Sequence, residues 1–592
     1  MPNIVFNGQK HFIPGVYDKT IVRSSLPGPL PQFHTPLALS RAWQGHPYNA
    51  DSLKLAGEPP FTPFLVAGTA GTVAEYYGFN SDLHRSMVWA KRHGLPLVYA
   101  CSLSPLTRAS VLVTSLGPVS EFTVYPKSFG APPGWTKLGW VGGSGTLTIV
   151  PVKSFAMVAT TLLAADTRIY VQGNNTWLVE GLEITLGDNS IAPVTRTIVQ
   201  TGNDIAADGR IEYWIEVDAP VGFGFSTASY ALVLVYNETG KTVEAGIATG
   251  QAFLDFLSQD PAANQLLVAQ KDVGFSDVLP IDIPTPTALN KITAWGAVAN
   301  GTSPAPTSAD VDAYISLMNG GQFDAFAVRE QAIPQAYYLG VGDSDSHKSM
   351  RDYSTAERVR GFPISVTSGV QWGDTSLVAL DDTAPPFRSA ALDSENVMLL
   401  AGGLDREAAY LSIAAATWAR RVAAGPGHNL TNDELIFSER EKSWNQIENG
   451  ELATLLKKGV STYKLSFAQT IRYRLAQGIS TLQNNQGLIW NENDATTWST
   501  MQRDLADFVN AVIKRDFEES LIGADQVDPN AIAAIMSRRA EKSLLKQSFI
   551  KTFTITSIAL NSGANGYDVK WSVTLPDTND FMTVETTILI GE

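Results

Sequence analysis

A chain of 592 residues, 44% hydrophobic and 17% charged, is globular rather than disordered. It is too long for one core, and about three or four domains are expected. Its formal net charge of −15 argues against general binding to DNA or to an anionic membrane, and its single cysteine, Cys101, excludes a framework of intramolecular disulfides.

Residues 1–36 read as an extended arm. Pro2, Pro14, Pro27, Pro29, Pro31 and Pro36 each fix φ and remove a donor, which blocks a helix. The pieces Ile4, Val5, Phe6 and Ile13, Val16, Tyr17 are β-prone. The start lacks a basic segment followed by an apolar stretch, so no signal peptide is expected. No run reaches the roughly 18 apolar residues of a membrane span.

Residues 37–136 read as α/β. A strand at 64–67, a helix at 82–93 stopped by Gly94, and a strand at 95–100 suggest a crossover unit. Residues 137–248 change to alternating β patterns at 146–150, 168–171, 176–185 and 211–217. Segments 231–236 and 241–245 flank Asn237, Glu238, Thr239 and Gly240 in the manner of a hairpin. The block is expected to be an inserted barrel or sandwich. Residues 249–400 return to α/β, with a helix at 309–318 and a strand at 323–328.

A helix is expected at 405–424. Asp405 serves as its N-cap, Gly425 closes it, and Ala408, Leu411, Ala415, Trp418 and Val422 share one face. Residues 401–592 form the last unit. It opens on a basic-polar helical segment near Leu455, Lys457 and Lys458, passes Arg472, Tyr473 and Arg474, and continues as two helices. Three strands follow at 552–560, 567–575 and 581–590, with turns at Ser562–Gly563 and at 577–579. The end of the last strand, Ile588, Leu589 and Ile590, has no charge, proline or cover guarding its edge before Glu592.

Catalytic signatures are missing. There is no phosphate-binding loop, no HExxH and no GxSxG, and Gly222–Phe223–Gly224 lacks the third glycine of a dinucleotide fingerprint. Glycines 142, 143 and 145 make a turn with no strand-to-helix context. Residues 343–347, with Asp343, Asp345 and His347, are the most metal-like cluster. They lack a bidentate Glu at the twelfth position and read as a solvated loop. Cys101 ends a buried strand and reads as core packing.

One charge feature opposes the acidic trend. Between 530 and 551 stand Arg538, Arg539, Lys542, Lys546 and Lys551 against one acid, Glu541. Arg538, Lys542 and Lys546 repeat at helical spacing. The stripe is either a solvated face or a dock for an acidic partner surface.

Three features carry a family resemblance: Pro14–Gly15–Val16–Tyr17 near the start, an alanine-rich helix before Leu430–Thr431–Asn432, and the order of elements over 451–592. In these the chain resembles contractile tail sheath proteins of myovirus-type phages. The resemblance implies an α/β and β multidomain fold: a discontinuous α/β core, an inserted β-rich domain and a C-terminal α+β polymerisation domain with extended terminal arms. It implies a structural subunit and no enzyme, with no catalytic residue, cofactor or metal. The partners it implies are further copies in stacked hexameric rings, a tail tube protein, and baseplate and tail terminator proteins. Neither nucleic acid nor membrane insertion is expected. The place would be a virion tail assembled in the host cytoplasm. Tube contact would fall to Arg538, Arg539, Lys542 and Lys546. Inter-subunit strand pairing would fall to Ile13, Val16, Tyr17, Val584, Ile588 and Ile590. Two other readings stay open: the sheath of a phage-derived device such as a contractile bacteriocin or secretion system, and a hydrolase with a β-rich accessory domain.

Overall fold

Hydrophobic alternation decides the central sheet. In His34–Ser40, Leu37 and Leu39 face one side and Ala38 the other. In Val397–Ala401, Leu399 opposes Met398 and Leu400. Strands apolar on both faces belong to a parallel sheet covered by helices on both sides. The computed structural model describes residues 4–6, 9–11, 34–61, 64–95, 98–115, 120–190, 192–206, 211–291, 298–319, 335–339, 344–359, 363–370, 385–402, 409–436, 452, 455–467, 471–482, 499–521, 528–546, 548–561 and 566–576. Seven strands form the sheet, in spatial order Val460–Ser461, Val397–Ala401, Ile364–Val370, Gln335–Leu339, His34–Ser40, Val98–Ser102 and Leu65–Ala67. It is therefore fed by segments on both sides of a long stretch that lies elsewhere.

Neighbouring strands run parallel except at one edge, where Leu65–Ala67 lies antiparallel to Val98–Ser102. The expected crossover between these two strands is thus corrected. Two helices lie between them, Ala70–Tyr77 and Asp82–Arg92, parted at Gly78 with φ of 97°. The second helix adds a second reversal and returns the chain antiparallel. The parallel partner of Val98–Ser102 is His34–Ser40. Because that strand begins at His34, the last residues of the presumed arm are already part of the sheet.

Asp82–Arg92 and Ala409–Ala424 cover one face of the sheet, packing Met87, Trp89, Ala415 and Trp418. Ser308–Asn319, Ser344–Val359 and Pro385–Leu392 cover the other, with Tyr314, Met350, Tyr353 and Leu392. Gly425, at φ of 85°, closes the alanine-rich helix and donates its N–H to Arg421 O at 3.2 Å. Asp405 and Ala408 lie outside the described residues, as does the strand expected at 323–328.

Antiparallel pairing extends beyond 137–248 on both sides. One four-stranded sheet joins Leu267–Lys271, Ser120–Pro126, Ser110–Thr114 and Val298–Ala299. Another joins Thr242–Glu244, Thr146–Val150, Lys137–Val141 and Ile283–Ala288. Val111, Phe122, Trp140 and Ile149 share one core, with Phe253 of the helix Gly250–Gln259.

Six more strands lie in the order Val152–Met157, Leu232–Tyr236, Glu183–Gly187, Val194–Ile205, Ile211–Val217 and Arg168–Val171. The first and last meet. Val158 bridges to Val171, Ala159 N donates to Tyr170 O at 2.7 Å, and Gln172 N donates to Met157 O at 2.9 Å. The sheet closes into a small barrel filled by Ile169, Ile184, Leu186, Ile198, Ile215 and Val233. The strand expected at 176–185 begins only at residue 183 and runs on as Glu183–Gly187, since turns at Leu178 and Leu182 precede it.

The expected hairpin around Asn237–Gly240 is half right. The turn forms, with Gly240 N donating to Asn237 O at 3.1 Å. Its flanks part company: Leu232–Tyr236 pairs inside the barrel with Val152–Met157, and Thr242–Glu244 pairs with Leu147, Thr148 and Ile149. Leu232, Val233 and Leu234 are all buried and need apolar cover on both faces, whereas Thr242–Glu244 is mostly exposed.

Candidate assembly surfaces

A doubly wound sheet ordinarily binds ligands where its winding reverses, at the carboxyl ends of the strands. Here the reversal falls between His34–Ser40 and Gln335–Leu339. Among the described residues, the chain packs its own side chains near the carboxyl ends of His34–Ser40 and Val98–Ser102. Tyr48 N donates to Ser102 O at 2.9 Å, its ring meets Tyr314 edge-on at 6.3 Å, and its hydroxyl reaches Asp310 at 3.4 Å. Leu103 and Cys101 are buried alongside, and burial pushes the Cys101 thiol pKa up.

Residues 344–347 are not a loop. They open the helix Ser344–Val359, and His347 is buried with Nε2 2.6 Å from Ser368 Oγ. An imidazole turned into the core cannot serve a surface cation site. Among the described residues no group of three His, Cys, Asp or Glu is arranged to hold a metal ion. No described helix is long and apolar enough to cross a membrane.

The C-terminal unit is built from Thr500–Leu521, Pro529–Ala540, a wider π turn Glu541–Leu545 and a ribbon of Thr552–Asn561 against Gly566–Thr574. Asp528 caps the second helix, accepting Asn530 N–H at 2.6 Å, and Pro529 takes the first helical position. Phe508, Val509, Ile513, Met536, Leu544 and Phe549 form its core. On the ribbon, Phe553, Ile555, Ile558, Val569, Trp571 and Val573 pack against that core but stay only half-buried. At the tip, Leu560 is 69% exposed and pairs with Tyr567.

Arg538, Arg539, Lys542 and Lys546 are all exposed. They do not form a straight α-helical stripe, because the π turn holds more residues per turn and rotates Lys546 away from the earlier register. Lys546 Nζ lies 3.5 Å from Glu541 Oε1, so that cation is partly answered within the chain. Ile13, Val16, Tyr17, Val584, Ile588 and Ile590 lie outside the described residues.

The sequence reading missed a seam of charges between the C-terminal unit and the sheet. Arg421, on the alanine-rich helix, grips Asp504 at two points, Nε–Oδ2 2.6 Å and Nη2–Oδ1 2.7 Å, and its Nη1 donates to Thr367 at 3.2 Å. Ser365 Oγ donates to Asp504 at 2.7 Å. Arg358 pairs with Glu395 at 2.7 Å and with Asp507, while Arg503 pairs with Glu395 at 2.8 Å and Asp507 at 3.2 Å. Burial alone would lower the pKa of Arg358, but Asp507 and Glu395 hold it above its ordinary value. One signal was available: Arg421 sits between Trp418 and Val422, and a cation there demands a buried partner.

No family model and no curated protein matches this chain. Among solved structures, the chain is similar to a sheath tail protein from Desulfitobacterium hafniense. That likeness has 13% identity and a TM-score of 0.46, covering 95% of this chain and 100% of that one. It is also similar to the helical sheath of the anti-feeding prophage in its contracted state, at 10% identity and a TM-score of 0.32, covering 49% of this chain and 78% of that one.

Proposed function

We propose that this chain is a self-assembling structural subunit of a contractile tail sheath, stacking as rings around a tail tube and contracting to drive the tube through a host envelope. The observation that carries the reading is the C-terminal ribbon. Among the described residues the ribbon has two strands, and the third expected at 581–590 lies outside them. Two strands are marginal by themselves, and a stable sheet needs three or more with a covered apolar face. Here Phe553, Ile555, Ile558, Val569, Trp571 and Val573 are left half-covered. Strand addition from a neighbouring subunit would extend the sheet and cover that face. The proline-broken segment before His34 could supply such a strand outward.

One further point favours this reading. The exposed Arg538, Arg539, Lys542 and Lys546 offer a basic surface that fits an acidic tube wall. The test is truncation. Removing residues 1–20 or 581–592 should stop the chain sedimenting as polymer, and the chain without residues 1–20 should stay folded. Long polymers of normal appearance from either truncated chain would defeat the proposal.

A further inference from the structure

Among the described residues, the apolar core of the C-terminal unit draws its buried members only from Leu505 to Leu575. The sheet's own clusters contain none of them. The facing surfaces are instead joined by three guanidinium groups and three carboxylates, Arg358, Arg421 and Arg503 with Glu395, Asp504 and Asp507. We propose that this charge-balanced seam is an articulation, at which the C-terminal unit parts from the α/β sheet as a folded body and re-docks in register.

The physical argument is one of relative cost. An apolar seam, once parted, exposes oily surface to water, and the penalty grows with area. A charge-paired seam returns its ions to full hydration, which offsets most of the attraction lost. Bidentate geometry at Arg421–Asp504 makes re-docking specific, because a guanidinium fork fits a carboxylate in one orientation. The seam also has a wet rim. The Glu395 side chain is 39% exposed, while those of Arg421 and Asp504 at its centre are 3% and 4% exposed. Water can enter at Glu395 and advance inward. A pivot stands beside the seam, where Thr500 N donates to Gly478 O at 3.2 Å and Ile479 bridges to Ser499. This inference needs no assumption about what the chain assembles with.

The chain carries its own control for the test. Its single cysteine, Cys101, is buried in the sheet and can react only when the sheet itself opens. A Ser365→Cys variant places a second thiol of similar size in the seam. Thiol-labelling rates of both sites are read in the folded full-length chain over a salt series. Salt stabilises the parted state, in which six charges meet solvent, more than the closed one. Labelling at position 365 should therefore rise by roughly tenfold from low to molar salt while Cys101 stays unreactive. Replacing the central pair, Arg421→Met with Asp504→Leu, should weaken the salt response, since four of the six charges remain. Should that pair fail to fold, Glu395→Gln at the rim should speed labelling at 365 at low salt. Equal rates at both thiols would mean that only global unfolding opens the seam, and a salt-independent rate at 365 would mean that charges do not govern it. Either result overturns the proposal.

Discussion

Arg421 and Asp504 stand 83 residues apart in sequence and meet as a two-point ion pair with both side chains almost fully buried. Desolvation of the two charges offsets much of their attraction, so the pair adds little net stability, but each partner depends on the other. Asp504→Ala should lower unfolding free energy by about 3–5 kcal/mol, because it strands the Arg421 cation. Denaturant unfolding of the variant checks this, with Asp504→Asn expected to lose less. A loss below about 0.5 kcal/mol, the range of an ordinary surface change, would mean the pair is solvated.

Acid should weaken the fold through three histidines. His93 Nε2 accepts the Ile436 N–H at 2.9 Å, His84 Nδ1 accepts that of Asn80 at 3.1 Å, and His46 Nδ1 lies 2.6 Å from the Tyr76 hydroxyl. Accepting a hydrogen bond needs the neutral ring. Burial, helped by Arg420 at His93, Arg85 at His84 and Arg108 at His46, lowers each pKa from 6.5 to about 4. As pH falls below 6.5 the unfolded chain takes up protons that the folded chain refuses, so stability is lost progressively down to about 4. The upper part of that window lies above ordinary carboxylate pKa values. Thermal unfolding should show the midpoint falling there, less steeply in His93→Gln. A flat midpoint across it would contradict the histidine account.

The seat of the barrel is tight at one glycine. A Cβ on Gly187 would stand 2.6 Å from the ring of Trp135, which is fully buried and cannot yield. Gly187→Ala should cost about 1–3 kcal/mol by overpacking. Gly143→Ala, which meets nothing within 4 Å, is the matched control and should be near neutral. Equal unfolding midpoints for the two variants would mean that Trp135 does not hold the barrel in place.

The basic surface can be tested by charge reversal. Changing Arg538, Lys542 and Lys546 to Glu should leave self-assembly intact and prevent coating of purified tubes at moderate salt. Exposed charges contribute up to about 1 kcal/mol each, mainly through salt-dependent association, and many copies multiply a small term. Co-assembly over a salt series is the measurement. A mutant that coats tubes normally would reduce the stripe to a solvated face.

What the sequence revealed divides along physical lines. Local signals were legible: Gly94 stops the helix expected at 82–93, Gly425 ends the alanine-rich helix, and strong alternation marks Ile211–Val217 and Thr146–Val150. Partner choice was not. Asn237–Gly240 forms its turn, yet the strands around it join different sheets, because pairing follows burial demand and not proximity in sequence. Leu65–Ala67 reads as a crossover strand if one helix follows it, but the break at Gly78 divides two helices and the strand pairs antiparallel. The π turn after Ala540 has no sequence signature at the level of spacing, and it displaced Lys546 from the stripe. The seam was half visible, since Arg421 on an apolar face called for an acid. Nothing local pointed to Asp504, 83 residues onward.

The central claim is that copies of this chain pair strand to strand into a tubular polymer. Electron microscopy of the purified full-length protein tests it most directly. The account predicts hollow tubes or stacked rings of constant diameter, lost when residues 581–592 are removed. A uniform field of monomers under all salt and concentration conditions, from protein whose unfolding is cooperative, would contradict it.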